Sequence, residues 1–260
     1  VTATRRRLWV FGGLAAWALV LGGLGVVSHR TDAPTVREQR TLAEALPVIE
    51  TALGHAMSQA GDDTVPVIPP VAIQEGCRIT PMRSGATATG MVRFFTGAGD
   101  DGLLRRLAGG FPAAYAVEVS ADGRSLRADA GEFVTVRGKL IAPGEVQVTA
   151  TTGCRPHDVA IDDLYGGPTR APERILTALG AASVDQEQFA VVGCPGGAKA
   201  NTASASGRIT ATPARAGALD QGREVLATDK VYAYRRGADE AVAVVPGDGG
   251  AARVFVTKLC

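Results

Sequence analysis

The chain repeats itself, and that repetition constrains its fold more than any other feature of the sequence. Cys77 and Cys194 lie 117 residues apart. At the same offset, Ala86-Thr87-Ala88-Thr89-Gly90 matches Ala203-Ser204-Ala205-Ser206-Gly207, and Tyr115 matches Tyr232. Upstream, Thr51-Ala52-Leu53-Gly54 recurs as Thr177-Ala178-Leu179-Gly180, preceded by Ile49 and Ile175. Downstream, Val146–Cys154 resembles Ala252–Cys260 with the offset reduced to 106, so the first copy carries about eleven extra residues. We expect them between Gly131 and Pro143. Helix word, cysteine, alternating stretch, tyrosine and closing cysteine recur in one order, which two unrelated Ala/Gly-rich stretches do not explain.

Each copy has the same grammar. Thr41-Leu42-Ala43-Glu44 is a capping-box pattern, and Leu42, Leu46, Ile49, Leu53 and Met57 follow at helical spacing. Pro47 marks a candidate first turn, as Pro172 does in the second copy. A Pro-rich crossing over 65–70 excludes helix. Period-two segments then predict strands over 87–95, 114–120, 132–137 and 145–151. In the second copy a helix over 172–183 is followed by strands near 188–192, 203–211, 230–235, 241–245 and 252–258. One helix followed by runs of strands implies an α+β module, the helix packed on an antiparallel sheet.

Four cysteines in an exported chain favour disulfides, and the duplication selects Cys77–Cys154 and Cys194–Cys260 from the three possible pairings. Each bridge ties the first strand of a module to its last. A zinc site needs C-x2-C pairs, which the chain lacks.

Export is inferred from the N-terminus. Arg5, Arg6 and Arg7 precede the uncharged stretch Leu8–Val27, which lifts the mean hydropathy to +0.11. Twenty such residues match a hydrocarbon core of ~30 Å, and the arginines set the N-terminus inside. The expected organisation is a cytoplasmic tip over 1–7, a transmembrane helix over 8–27 and a juxtamembrane linker over 28–41. A first α+β module over 42–154, a linker over 155–170 and a second module over 171–260 follow. The rival is a signal peptide cleaved after Ser28 and a secreted product, against which stand the length of the run and the lack of an A-x-A site.

Catalytic constellations are absent from the sequence. It has no G-x-S-x-G, H-E-x-x-H or C-x-x-C, and no G-K-[ST] follows the glycines of 193–199. His29 flanks the apolar run, and His55 sits where the second copy has Ala181. His157 lies near Asp158, Asp162, Asp163 and Tyr165 in a stretch that reads as a solvated acidic linker. Asp62-Asp63 and Asp100-Asp101 lack calcium-loop spacing and read as turn residues. Both tryptophans, Trp9 and Trp17, fall in the apolar run, which disfavours sugar stacking outside it. Removing Arg5, Arg6, Arg7 and Arg30 from the 27 basic residues leaves 23 against 26 acidic ones, a net charge of −3 unsuited to nucleic acid. No catalytic, cofactor or metal residue is assigned.

The reading from sequence is therefore a non-enzymatic, membrane-anchored scaffold of a bacterial cell envelope. It binds the bilayer through 8–27 and contacts another envelope or membrane protein. The alternative is an extracytoplasmic ligand-binding or sensor module, with Gly54, Ala56 and Ala60 leaving room for a small apolar molecule between helix and sheet.

Overall fold

A computed structural model describes residues 2–31, 40–97, 102–158 and 170–260; of 2–11, 29–31, 186 and 187 it describes the backbone only. The chain divides into two compact units, Val1–Val36 and Arg37–Cys260.

The first unit holds one helix, α1 (Thr2–Thr31). Among the described residues no helix is long and apolar enough to cross a membrane, and this overturns the expected span over 8–27. α1 carries the three charges of Arg5–Arg7 near its start, and its sequence over 12–28 is diluted by small residues. Five of those positions are glycine, which adds no apolar surface. The cytoplasmic tip over 1–7, the single-pass topology, the bilayer partner and the anchored-scaffold reading fall with the span.

The second unit contains two α+β modules. The first runs α2 (Leu42–Met57), β1 (Thr64–Val67), β2 (Ala72–Thr80), β3 (Arg83–Thr96), α3 (Leu103–Ala108), β4 (Glu118–Val119), β5 (Ser125–Asp129), β6 (Thr135–Ala142) and β7 (Glu145–Thr151). The second runs α4 (Ala171–Ala178), β8 (Asp185–Gly193), β9 (Lys199–Arg208), α5 (Ala214–Asp220), β10 (Arg223–Ala227), β11 (Tyr232–Arg236), β12 (Glu240–Pro246) and β13 (Ala251–Lys258). All strand pairs are antiparallel. The orders are β2-β3-β7-β6-β5-β4 and β8-β9-β13-β12-β11-β10, the same path through both sheets. β1 is an addition of the first module. It pairs with the end of β3 while β2 pairs with its start, and Pro69-Pro70, without N–H groups, fall in the gap between them.

Strand register places the extra residues of the first copy elsewhere than 131–143. Thr151 pairs with Thr89 and Thr135, and Thr257 with Thr202 and Ala241. Matching the two sheets through these rows keeps the offset at 106 from β7 back to β5, where Asp129 pairs with Thr135 as Arg235 pairs with Ala241. It becomes 113 along β3, where Thr89 matches Thr202. The disulfide-linked cysteines are 77 and 66 residues apart, so eleven residues must be placed. About four lie in the β2–β3 hairpin and about seven in the crossover from β3 to β5. A shared detail supports the match: Thr89 and Thr151 hydroxyls lie 3.3 Å apart, and those of Thr202 and Thr257 2.8 Å apart. The Ala86–Gly90 and Ala203–Gly207 words are thus displaced by four residues, which preserves the face and hides the slip. Tyr115 sits in a 3-10 turn of the crossover and Tyr232 in β11, so that match is fortuitous. The expected strand over 114–120 reduces to β4.

Cys77 is bonded to Cys154 and Cys194 to Cys260. Each bridge joins the two strands that flank β3 or β9.

The modules share their core. α2 packs on β3 and β7 through Ile49 and Leu53, and on β8 through Gly54, where an added Cβ would lie 1.9 Å from the Gly193 carbonyl oxygen. Val65, Val67 and Phe95 cover the face of the second sheet opposite α4, against Ala233, Ala241 and Ala243. Polar groups close the seam: Ile68 N–H donates to Thr202 Oγ1 (3.0 Å), and buried Arg235 donates to the carbonyls of Thr64 (3.3 Å) and Ala238 (3.0 Å). Burial holds the Arg235 guanidinium below the ordinary arginine range, against the opposing pull of Asp62 at 3.6 Å.

Candidate functional site

The two sheets differ most where each meets the start of its helix. In the second sheet, Arg236, Glu240, Lys258 and Asn201 pair directly across four adjacent strands. One step further in, Tyr234, Val242, Val256, Ala203 and Phe189 form the parallel row. Directly paired residues and those two apart share a face, and Tyr234, Val242 and Val256 pack with Ile175 and Leu176 of α4 and with Leu179 at its C-terminal end. Both rows therefore face the helix. The polar row, with Phe189, Ala203 and Val256, lines a groove of about 570 Å3 roofed by Arg170, Ala171 and Arg174.

The matching row of the first sheet is Ala130, Val134, Thr152 and Ala88, all buried. Sequence explains the difference. Thr41 Oγ1 accepts from Glu44 N–H (3.3 Å) and Glu44 Oε2 accepts from Thr41 N–H (2.8 Å), completing the capping box that starts α2 at Leu42. Measured back from Leu53-Gly54 and Leu179-Gly180, α2 begins about a turn earlier than α4 and lays Leu42 and Ala45 over that end of the sheet. The segment after Cys154 completes the filling: Pro156 O accepts from Leu42 N–H (3.0 Å) and Asp158 Oδ1 from Ala43 N–H (3.1 Å). Arg155, fully buried, donates to the carbonyl oxygens of Glu132 and Thr152.

Arg236 is fixed within the groove. Its Nε donates to Glu240 Oε2 (2.8 Å) and its Nη1 to Asp220 Oδ2 (3.0 Å). Burial alone would weaken its hold on the proton, but the bond to Glu240 and the charges of Glu240 and Asp220 raise its pKa. Tyr234 donates to the same Asp220 oxygen (2.5 Å), and burial together with that carboxylate pushes its pKa well up. Neither group is poised to titrate near neutral pH. Arg174 and Arg236 also line a smaller adjoining pocket of about 120 Å3 beside Leu219.

On the face of the first sheet away from α2 a separate groove of about 310 Å3 runs over Thr135, Arg137, Thr149 and Thr151. Between α2 and β8 a cavity of about 20 Å3, lined in part by Glu50, Ile68 and Met91, has room for no more than about one water. Gly54, Ala56 and Ala60 leave no space: the Gly193 backbone fills the first, and the alanines are buried.

The remaining residues that the sequence singles out stand apart from the groove. His55 stacks edge-on against Tyr115 at 5.8 Å, and His157 Nδ1 lies 3.2 Å from Glu75. Asp63 pairs with Arg106 (2.8 Å) and Asp62 with Arg235. Residues 193–199 form the β8–β9 hairpin. Asp100, Asp101, Asp162, Asp163 and Tyr165 lie outside the described residues, as does the side chain of His29. Among the described residues no group of three or more His, Cys, Asp or Glu side chains is placed to hold a metal.

Sequence reasoning missed Arg170, Arg174, Asn201, Arg236 and Lys258. A signal existed, since Asn201 is the single asparagine of the chain. Aligned through strand register, small or apolar residues at 88, 130, 134 and 152 stand against Asn, Arg, Glu and Lys. The offset of 117 concealed this. The chain matches no protein-family model, no curated protein and no solved structure.

Proposed function

We propose that this is a non-enzymatic ligand-binding protein whose second module holds a small molecule in the groove between α4 and its sheet. The first module, with the equivalent space filled, supports it. The carrying observation is the contrast between the two helix–sheet interfaces: one buried row of Ala130, Val134, Thr152 and Ala88, and one open groove of about 570 Å3. That volume falls within the range of small-molecule sites, and an apolar floor of Phe189, Ala203 and Val256 beside convergent polar groups gives a ligand both kinds of contact. Two disulfides suit an oxidising, extracytoplasmic compartment.

The test is amide chemical-shift mapping of the intact chain against a panel of small amphiphiles. Shifts should cluster at Asn201, Ala203, Val256 and Lys258. Ala171→Phe, which fills the roof of the groove from a half-buried position, should abolish them while preserving the fold. Shifts elsewhere, or shifts indifferent to that substitution, would refute the reading.

A further inference from the structure

We propose that the groove of the second module selects an amphipathic anion, a ligand with one carboxylate- or phosphate-like head and a short apolar body. This rests on the ligand-binding reading above and adds the chemistry of the ligand. The head is assigned to Arg170, Arg174 and Lys258. Arg170 and Arg174 stand one turn apart at the start of α4, and the Arg174 N–H donates to the Arg170 carbonyl (3.1 Å). Lys258 lies below them, paired across strands with Asn201 on one side and Glu240 on the other. All three cations are exposed.

Among the described residues the one carboxylate in the lining, Glu240, is already committed. Glu240 receives two nitrogens of Arg236, at 2.8 and 2.7 Å, and Asp220 takes a third at 3.0 Å. Arg236 and its two acids together carry one net negative charge, against the three positive charges of Arg170, Arg174 and Lys258, so the field in the groove is net cationic. A mainly cationic, partly enclosed cleft concentrates anions, and guanidinium forks match carboxylate and phosphate oxygens. Asn201, half-buried beside Lys258, adds an amide donor.

The apolar body is assigned to Phe189, Ala203 and Val256, the next row along the same face. Rows two residues apart are separated by roughly 7 Å, so a chain of four to eight carbons spans head site and floor. The polarity is written into the second copy alone. The first copy has Ala88 and Thr152 where Asn201 and Lys258 stand, and buries both. Residues under a closed helix are kept small and apolar; here they are not.

The experiment titrates the intact, oxidised chain with octanoate, octyl phosphate, octan-1-ol and inorganic phosphate. Shifts are followed at the amides of 201, 203, 256 and 258. The two amphipathic anions should bind at least about tenfold more tightly than octanol or inorganic phosphate. Arg174→Gln with Lys258→Gln should weaken octanoate about tenfold or more and leave octanol unchanged. Arg137→Gln, on the first sheet outside the groove, should change neither. Octanol binding as tightly as octanoate would overturn the anion assignment and leave the ligand-binding reading standing. Inorganic phosphate binding as tightly as octyl phosphate would overturn the apolar part. Silence from all four probes, with the amide spectrum showing a folded chain, would overturn this inference.

Discussion

Gly54 shows a single residue placed by backbone approach and not by conformational preference. It sits inside α2, where alanine is intrinsically favoured by about 1 kcal/mol. A methyl group there meets the backbone of Gly193, which has no flexible end to yield. Gly54→Ala should therefore lower stability by about 1–3 kcal/mol, read from the urea midpoint. A gain would show that β8 is not seated on the helix. Glu50, half-buried on the same helix, carries a pH effect: burial raises its pKa and the charge of Lys199 only partly restores it. The folded state then holds that proton more tightly than the unfolded chain does. Its stabilisation is complete below the ordinary carboxylate pKa and is lost as pH rises through the raised value. Glu50→Gln should thus gain on the wild type between pH about 4 and 7, and a constant difference across that range would contradict the burial.

At the scale of elements, one word led to two outcomes. Thr-Ala-Leu-Gly lies inside α2 but ends α4, where Gly180 adopts φ +87° and its N–H donates to the Thr177 carbonyl. The capping box was legible at the other end of α2 because it needs only Thr41 and Glu44 three residues apart, and Thr41→Ala should cost about 1 kcal/mol. The strand patterns of β7 and β13 were legible because alternation is local, and β12 was legible as a short apolar run buried on both faces. β1 and β2 were not, since Pro-rich and polar edge strands carry no such alternation. The disulfides act on whole modules. Closing loops of 77 and 66 residues removes chain entropy worth about 4–4.5 kcal/mol each, less any native strain. Cys194→Ser with Cys260→Ser should lower the melting temperature markedly in non-reducing buffer. Equality with the wild type would mean that the second sheet does not rely on its clasp.

For the molecule as a whole, the seam between modules is the decisive feature. On the face opposite α4 the second sheet presents Ala233, Ala241, Ala243 and Phe255; register places Arg127, Thr135, Arg137 and Thr149 at the matching positions of the first. The same face is apolar where β1 covers it and polar where nothing among the described residues does. Residues 37–260 should consequently unfold in one transition by fluorescence and calorimetry. Ala243→Arg, which installs the side chain of the first module, should remove about 3 kcal/mol or more and split that transition in two. Retention of a single, unshifted transition would refute the shared core. What sequence by itself determined is the duplication, the α+β grammar of each copy and the cysteine pairing. These survive because recurrence, short-period patterning and a closed set of thiols are properties of the chain order. Only tertiary structure decided where the eleven extra residues lie, which faces are covered and which helix–sheet interface stays open. It also overturned the expected membrane span, since among the described residues no helix is long and apolar enough to cross a membrane. Burial depends on what arrives from far along the chain, and a four-residue slip in register preserves alternation while setting half-buried Asn201, in place of buried Ala205, against the buried Ala88 of the first copy.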